Sequence, residues 1–481
     1  MNPVLRVLAV GGALAGSALV GRFVSFGTYI QLVGAVLVLA VALALELNAM
    51  SAPALGIRVL LISAVLLPVE VVTGTMTNTG AAGTLSLCFL LAALLCFTWF
   101  LRLAVARRLA LDPSRIVVAA LAFMAAAMLS FVIGQFPWFA TDGAPLRAQV
   151  GGLALFLLSG GIALVVAHDT TSLAQLARMT WLFIGLGGMT LFAMLVPGTE
   201  IAFGRVRVLT HTSVGSLFFS WLVAMSLSQA LFNRNLSPAA RTAALAIGVT
   251  ALARGLFVTF SWASGWVPSL VALGVLILFR WPRLTVSAGL LLGAPAALVA
   301  DSLWRSLMSA ESWSWMTRVE ALRVMLQLIE RNPLLGFGPA NYHYYTYLFP
   351  ILGYRISFNS HNNYRDFLAQ GGVLGLLAFL WFAGEALGLA YRVYRRAPDG
   401  FSRAYAVGTL GGVASSLVAG LLADWIVPFL YNIGIAGFRS SLLFWLFVGG
   451  LVALNRLMAG AVAPAATSRS HRLSQLTVNH A

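Results

Sequence analysis

Apolar runs long enough to cross a bilayer recur along nearly the whole chain, and this recurrence limits the fold more than any motif does. A transmembrane helix needs about 20 consecutive apolar residues, and inside hydrocarbon only helices and closed barrels satisfy every backbone hydrogen bond. Such runs fall at residues 4–21, 28–46, 54–73, 82–101, 116–136, 149–167, 179–197, 213–232, 242–260, 263–279, 284–300, 373–391, 404–424 and 438–456, about fourteen in all. With 60% hydrophobic and 9% charged residues and a mean hydropathy of +0.92, the expected fold is all-α, a polytopic transmembrane helical bundle of about 12–14 spans. The first run carries one Arg and no small-residue cleavage site, so it reads as a retained span and not as a removable signal. Cys88 and Cys96 fall on one predicted helix, a geometry that does not suit a disulfide.

The 30 basic residues, all arginine, face 14 acidic ones, and cytoplasmic loops carry the excess of basic residues. With the amino terminus inside, Arg102, Arg107, Arg108 and Arg115, then Arg234 and Arg241, Arg280 and Arg283, and finally Arg392, Arg395, Arg396 and Arg403 fall on the cytoplasmic side; Arg22 and Arg147 are exceptions. The chain then divides into transmembrane helices over 1–300, one large outer loop over 301–372, the last transmembrane helices over 373–456 and a disordered cytoplasmic tail over 457–481. In a bacterial inner membrane that loop faces the periplasm. Basic residues spread through loops in this way point to membrane topology and not to nucleic acid. Arginines on the outer side need a partner, and Arg205, Arg207, Arg305, Arg318, Arg323, Arg331, Arg355 and Arg365 are there. A forked guanidinium binds phosphate oxygens in pairs, so a lipid-linked diphosphate is the attractive ligand and phospholipid head groups the plainer one.

Within the outer loop, Ser314 to Glu330 reads as an amphipathic helix, with Thr317 and Glu320 as a capping box and Leu322, Met325, Leu326 and Ile329 on its apolar face. Asn332-Pro333 ends it, and Gly336, Gly338 and Pro339 mark a turn that admits close backbone approach. Tyr342, Tyr344, Tyr345 and Tyr347 follow, as an interfacial belt or a sugar platform. The stretch SHNNYRDFLAQGG, Ser360 to Gly372, then leads into a transmembrane helix and sets His361 and Asp366 near the membrane surface. A histidine there can take a proton from a hydroxyl at lipid-diphosphate depth. Breaking a sugar-diphosphate bond needs no strong acid, so a few arginines and one base suffice. Asp301, Glu311, Glu320, Glu330 and Asp366 are scattered, with no paired carboxylates or metal-ligand spacing, so no metal or cofactor is expected.

The pair NPLLGFGPAN and HNNYRDFLAQGGVLG resembles the paired hallmark of the O-antigen ligase and O-antigen or exopolysaccharide polymerase family of bacterial polytopic membrane glycosyltransferases, with Gly372 and Gly375 as its closing Gly-x-x-Gly. The resemblance implies a membrane glycosyltransferase fold of the C type with one large, partly helical periplasmic loop. It also implies metal-independent, inverting transfer of a glycan from an undecaprenyl-diphosphate carrier to an acceptor hydroxyl. It casts His361 as the general base and Arg318 as a holder of the diphosphate. Arg207, in RVRVLTHTSVGS, matches a third catalytic position, although Leu209-Thr210 and His211 depart from the family pattern. Where relatives often carry Ser-Arg-Gly, this chain has Ser261-Trp262-Ala263, and Arg254 is the nearest substitute charge. Arg205, Arg254, Arg355, Arg365, Asn362, Asn363, Tyr364, Asp366, Tyr342 and His211 make up the candidate substrate-binding set. For His361 the structural alternative is a satisfied histidine, for Arg318 contact with lipid phosphate, for Asp366 a partner orienting His361 or Arg365, and for Asn362 and Asn363 a helix cap.

The resemblance further implies a lipid-linked glycan or lipid A-core as acceptor, a chain-length regulator as partner, and a place in the bacterial inner membrane. The expected activity is polymerisation of exopolysaccharide or O-antigen repeat units, with ligation of finished chains to lipid A-core as the alternative. A transporter or flippase for the same lipids would show internal repeats and broken helices. No repeat is evident, and the acids Glu70 and Glu385 within apolar runs are what speaks for it.

Overall fold

The computed structural model describes residues 53–66, 70–75, 82–106, 114–195, 201–203, 206–208, 215–258, 262–283 and 312–478, and of residues 53, 54, 70–75, 82–85, 201–203, 206–208, 312–315, 318 and 461–478 the backbone course alone. The helices are α1 (Pro53–Leu66), α2 (Leu87–Ala106), α3 (Arg115–Ile133), α4 (Leu146–Asp169), α5 (Leu173–Leu195), α6 (Ser216–Phe232), α7 (Pro238–Phe257) and α8 (Ala263–Arg280), then α9 (Ser312–Ile329), α10 (Tyr342–Thr346), α11 (Asn363–Arg396), α12 (Phe401–Leu422) and α13 (Phe438–Val478). Two antiparallel hairpins interrupt them, β1 (Glu70–Thr75) with β2 (Ala82–Ser86) and β3 (Ile201–Phe203) with β4 (Val206–Val208). Among the described residues nine helices are long and apolar enough to cross a membrane, and Leu55–Leu66 and Ser216–Phe232 are shorter apolar helices. The chain is thus a multi-pass, helical membrane protein. The runs at 4–21, 28–46 and 284–300 lie outside the described residues.

Hydropathy misplaced two spans. The run 54–73 is helical only to Leu66, and 82–101 becomes helix only at Leu87, because Glu70–Ser86 forms the first hairpin. Its strands carry Val and Thr, and hydropathy alone cannot distinguish an apolar strand from a helix. The tail from Met458, expected to be disordered, continues α13 as helix through Val478. Extending an existing helix through Ala-rich sequence avoids the cost of nucleation.

The centre of the bundle is α6, buried along nearly its whole length and packed on α8 and α12. Trp221 of α6 lies flat against Gly412 of α12 and donates its indole N–H to Ser416 Oγ at 3.0 Å. Small residues at a helix interface let backbones approach in this way where no hydrophobic drive separates protein from lipid. Helix α13 packs along α4, and α11 runs along α3 with Ser130 near Gln370 and Arg115 near Glu385.

The described members of the predicted basic clusters gather at one end of the bundle. There Arg102 pairs with Asp169 at 2.5 Å, Arg234 with Asp399 at 2.9 Å, and Arg456 donates to the carbonyls of His168 and Thr170. Glu385 belongs to the same end, 3.2 Å from Arg115 and 3.7 Å from Arg392. It is therefore not an isolated charge in mid-span, and of the two acids that spoke for a transporter this one has an ion-pair explanation. At the opposite end lie the loops 134–145, 330–362 and 423–437.

Helix α9 begins at Ser312, so Thr317 and Glu320 do not open it; Glu320 instead sits 3.6 Å from Arg323. Nothing between Ser312 and Thr317 breaks a helix. Its buried face is Ala321, Val324, Met325, Leu328 and Ile329, while Leu326 points outward.

Candidate functional site at the loop end of the bundle

The two sequence motifs are two halves of one backbone lock. Helix α11 breaks at Gly372, whose φ of 63° and ψ of −168° leave the helical region. A break frees carbonyls on one side and amides on the other, and buried backbone groups require partners. The turn 333–338 supplies them. Phe337 N–H donates to Ala369 O at 2.9 Å and Gly338 N–H to Gln370 O at 3.0 Å, while Val373 and Leu374 N–H donate to Pro333 O and Leu334 O at 2.8 and 3.2 Å. Gly336, at φ 65°, meets the same junction: a Cβ on it would fall 2.6 Å from Ala369 O. Asn341 ties the lock to α3 and α4, donating to Gly134 O and Phe337 O and accepting from Ala144 N–H at 2.7 Å.

This lock fixes the polar segment Asn363–Gly371, and a buried network fixes the residues before it. Asp366 Oδ1 accepts from Tyr342 Oη and from Ser360 Oγ, each at 2.6 Å, and Ser360 N–H donates to Tyr342 Oη at 3.2 Å. Asn362 caps the segment, its Oδ1 accepting from Tyr364 and Arg365 N–H, and its Nδ2 donates to Leu421 O. Asn363 is fully buried; its amide donates to Val427 O at 2.8 Å and accepts from Ile426 N–H at 2.7 Å. Tyr364 Oη donates to Leu417 O.

Between these two anchors stands His361, exposed and at φ 46°. A non-glycine residue in the left-handed region is uncommon, and it persists only where the surroundings hold it. Asn359 Oδ1 helps by accepting His361 N–H at 3.2 Å. His361 Nδ1 lies 3.2 Å from Asn432 Nδ2, and the same amide donates to Asp424 Oδ1. Asp424 is buried and also accepts Phe429 N–H at 2.7 Å. The loop 423–437 therefore builds an Asp424–Asn432–His361 chain that sequence reasoning missed. The one signal was a lone acid and an asparagine in the last apolar connection, which the spans at 404–424 and 438–456 had absorbed or skirted.

Several candidates occupy other roles than expected. Tyr342 and Asp366 are buried, and Asn363 spends both ends of its amide on backbone, so they position the loop and do not face a ligand. Of the tyrosines proposed as a belt, Tyr342 and Tyr345 are core and Tyr347 is exposed; a belt pattern cannot reveal that the loop folds back on itself. His343 is buried, stacked on Tyr431 at 4.5 Å, with Nδ1 2.9 Å from Phe358 O; burial holds its pKa below the usual imidazole value. Arg365 is half-buried at the network's edge, and Arg355 is exposed on the 352–356 turn. Arg318 lies on α9 and Arg207 on β4, with side chains outside the description; Arg205 and His211 lie outside the described residues.

Arg254 lies near the loop end of α7, its guanidinium 5.4 Å from the Phe219 ring centroid. Phe219 meets Trp262, and Trp262 meets Trp425, the neighbour of Asp424. Gly215, where the Arg207 segment enters α6, packs directly beneath Trp425. Arg254 thus connects through aromatic contacts to the loop that holds His361.

Burial pushes the Asp424 carboxyl up to about 6. The folded chain holds that proton more tightly than the unfolded chain, so ionising it opposes folding. The protonated form's stabilisation is present below about pH 4 and is lost as pH rises through about 6. Thermal unfolding followed from about pH 4 to about pH 7 is expected to show this downward contribution, and Asp424→Asn to remove it. Identical pH slopes for both proteins would show that Asp424 does not titrate in that window.

The fold and the site define a multi-pass membrane protein with a polar site built at one end of its helical bundle. Residues 240–380, the stretch holding Arg254, Arg318, the lock and His361, match the family model described as O-antigen ligase. Asp424 and Asn432 lie beyond the matched stretch. No curated protein matches the chain.

Proposed function

We propose that the chain is a metal-independent, inverting glycosyltransferase that moves a glycan from an undecaprenyl-diphosphate carrier to an acceptor sugar hydroxyl at the periplasmic face of the bacterial inner membrane. The observation that carries this reading is His361, exposed, backed by Asn432 and buried Asp424, within the family-matched stretch. Asp424 holds the Asn432 amide N–H toward itself, so the amide's second N–H faces Nδ1 and leaves that ring nitrogen an acceptor. An acceptor hydroxyl that displaces the 3.2 Å contact meets this lone pair. As the hydroxyl oxygen attacks the anomeric carbon from the face opposite the diphosphate, its proton passes to His361. The carbon–oxygen bond to diphosphate breaks, and the bonding pair leaves with the diphosphate. The imidazolium that forms faces the Asp424 carboxylate across Asn432, and Arg254, Arg318 and Arg207 are the residues assigned to the charge on the leaving diphosphate.

Polymerisation of exopolysaccharide or O-antigen repeat units is the preferred activity; ligation of finished chains to lipid A-core uses the same chemistry with a different acceptor. The test is transfer in proteoliposomes from a labelled undecaprenyl-diphosphate oligosaccharide, with EDTA present. Transfer is expected to persist, and Arg318→Ala to lower it roughly tenfold to a thousandfold, the range for removing one group that stabilises developing charge. A ladder of products indicates a polymerase and a single addition to core a ligase. Movement of the labelled lipid across the bilayer without transfer would overturn the enzyme reading.

A further inference from the structure

Two indoles link Arg254 to the chain of residues that holds His361. Trp262 stands at the N-cap of α8 and Trp425 follows Asp424 in the loop 423–437, and both are half-buried. Their ring centroids are 6.0 Å apart with the planes at 70°, so the rings form a corner. On one side Trp262 meets Phe219 at 6.2 Å, and the Arg254 guanidinium lies 5.4 Å from the centroid of that phenyl ring. On the other side Asp424, next to Trp425, accepts from Asn432, which touches His361.

Glycines make room for both rings. A Cβ on Gly215 would fall 2.3 Å from the Trp425 ring, and one on Gly265 2.2 Å from the Trp262 ring. An interfacial belt places such rings singly on the lipid-facing surface of helices. These two come from different elements and meet each other beside a polar site.

The chemistry of a sugar diphosphate says what belongs there. The transferred sugar is bonded directly to phosphate, and its anomeric carbon must face the hydroxyl that His361 activates. The sugar therefore lies between the charge that holds the diphosphate and His361, which is the interval these indoles span. One face of a pyranose presents C–H bonds, and the negative face of an aromatic ring attracts them while excluding water.

We infer that Trp262 and Trp425 bind the donor sugar next to the diphosphate, with an indole face against the C–H face of the pyranose. The inference rests on the proposed transferase reading for the identity of the donor.

The test compares two lipids in nanodiscs, bare undecaprenyl diphosphate and the undecaprenyl-diphosphate oligosaccharide of the transfer assay. Both carry the charge, and only one carries sugar. The native chain is expected to bind the oligosaccharide lipid more tightly. Trp262→Leu and Trp425→Leu should each weaken that binding roughly twofold to tenfold, the worth of one aromatic contact, and leave the bare carrier unaffected. The double variant should erase the preference, and Trp262→Phe, which keeps an aromatic face, should retain most of it. Arg254→Gln should weaken both lipids alike. In transfer, Trp262→Leu should raise the KM for the donor more than it lowers kcat.

Equal binding of the two lipids by the native chain overturns the inference, as does a preference that survives the double variant. A loss that falls equally on the bare carrier makes the indoles packing residues and overturns it too. With any of these results, transfer by the native chain keeps the transferase reading. A preference erased in the double variant, without transfer by the native chain, would sink that reading and leave the sugar site standing.

Discussion

Replacing His361 with alanine is expected to lower glycan transfer by about 10² to 10⁴, the range that general-base assistance supplies, while the protein unfolds at nearly the native temperature. His361 is exposed and packs no core, so its removal leaves no cavity. The backbone is the one structural risk, since φ is 46° there. Alanine tolerates the left-handed region poorly, whereas asparagine visits it readily. His361→Asn is therefore the informative companion: it relieves the backbone and still lacks a base, so it should be as inactive as the alanine variant. Transfer near the native rate in His361→Asn would remove His361 from the chemistry. A variant that is inactive and also unfolds early would instead assign the residue to loop geometry. Asp424→Asn should give a smaller loss, because it leaves the lone pair in place and removes the charge that stabilises the imidazolium.

The second large effect concerns the backbone lock. Gly372→Ala is expected to lower the thermal unfolding midpoint by several degrees and to abolish transfer, although the residue touches no proposed substrate. A φ of 63° with ψ −168° is essentially reserved to glycine and costs an alanine about 1–3 kcal/mol by itself. The added Cβ would also stand 2.2 Å from the Leu334 carbonyl group, a contact with backbone that no rotamer change relieves. Opening the junction strips four backbone hydrogen bonds of their partners and releases both the turn and the segment that carries the His361 network. The neighbouring Gly371 is the control: a Cβ there meets nothing within 4 Å and φ is not positive, so Gly371→Ala should be neutral or slightly stabilising. Equal behaviour of the two variants would show that the junction is not the anchor described above.

The lock also explains why two motifs about twenty residues apart belong together. From the sequence, Gly336, Gly338 and Gly372 signal tight turns. That the carbonyls of Ala369 and Gln370 would be answered by the amides of Phe337 and Gly338 is a pairing with no local signature. His361 could be singled out because a histidine beside a membrane surface has few other uses. Asp424 and Asn432 could not, because an acid at the end of an apolar run looks like the end of a span. The sign of the error differs for Glu385, which hydropathy placed in hydrocarbon and the packing of α3 on α11 gives to Arg115.

What the sequence by itself determined is the class: runs of apolar residues leave the backbone no solvent to bond, so it must form helices that cross a bilayer, and the arginine clusters mark one end of them. Periodicity and composition are local properties, and they were enough for that. The tertiary structure alone decided which polar groups meet, since Asp424 and Asn432 reach His361 from a separate stretch of chain. Their meeting depends on how α11 and the last loop pack, and that packing is a sum over contacts distant in sequence.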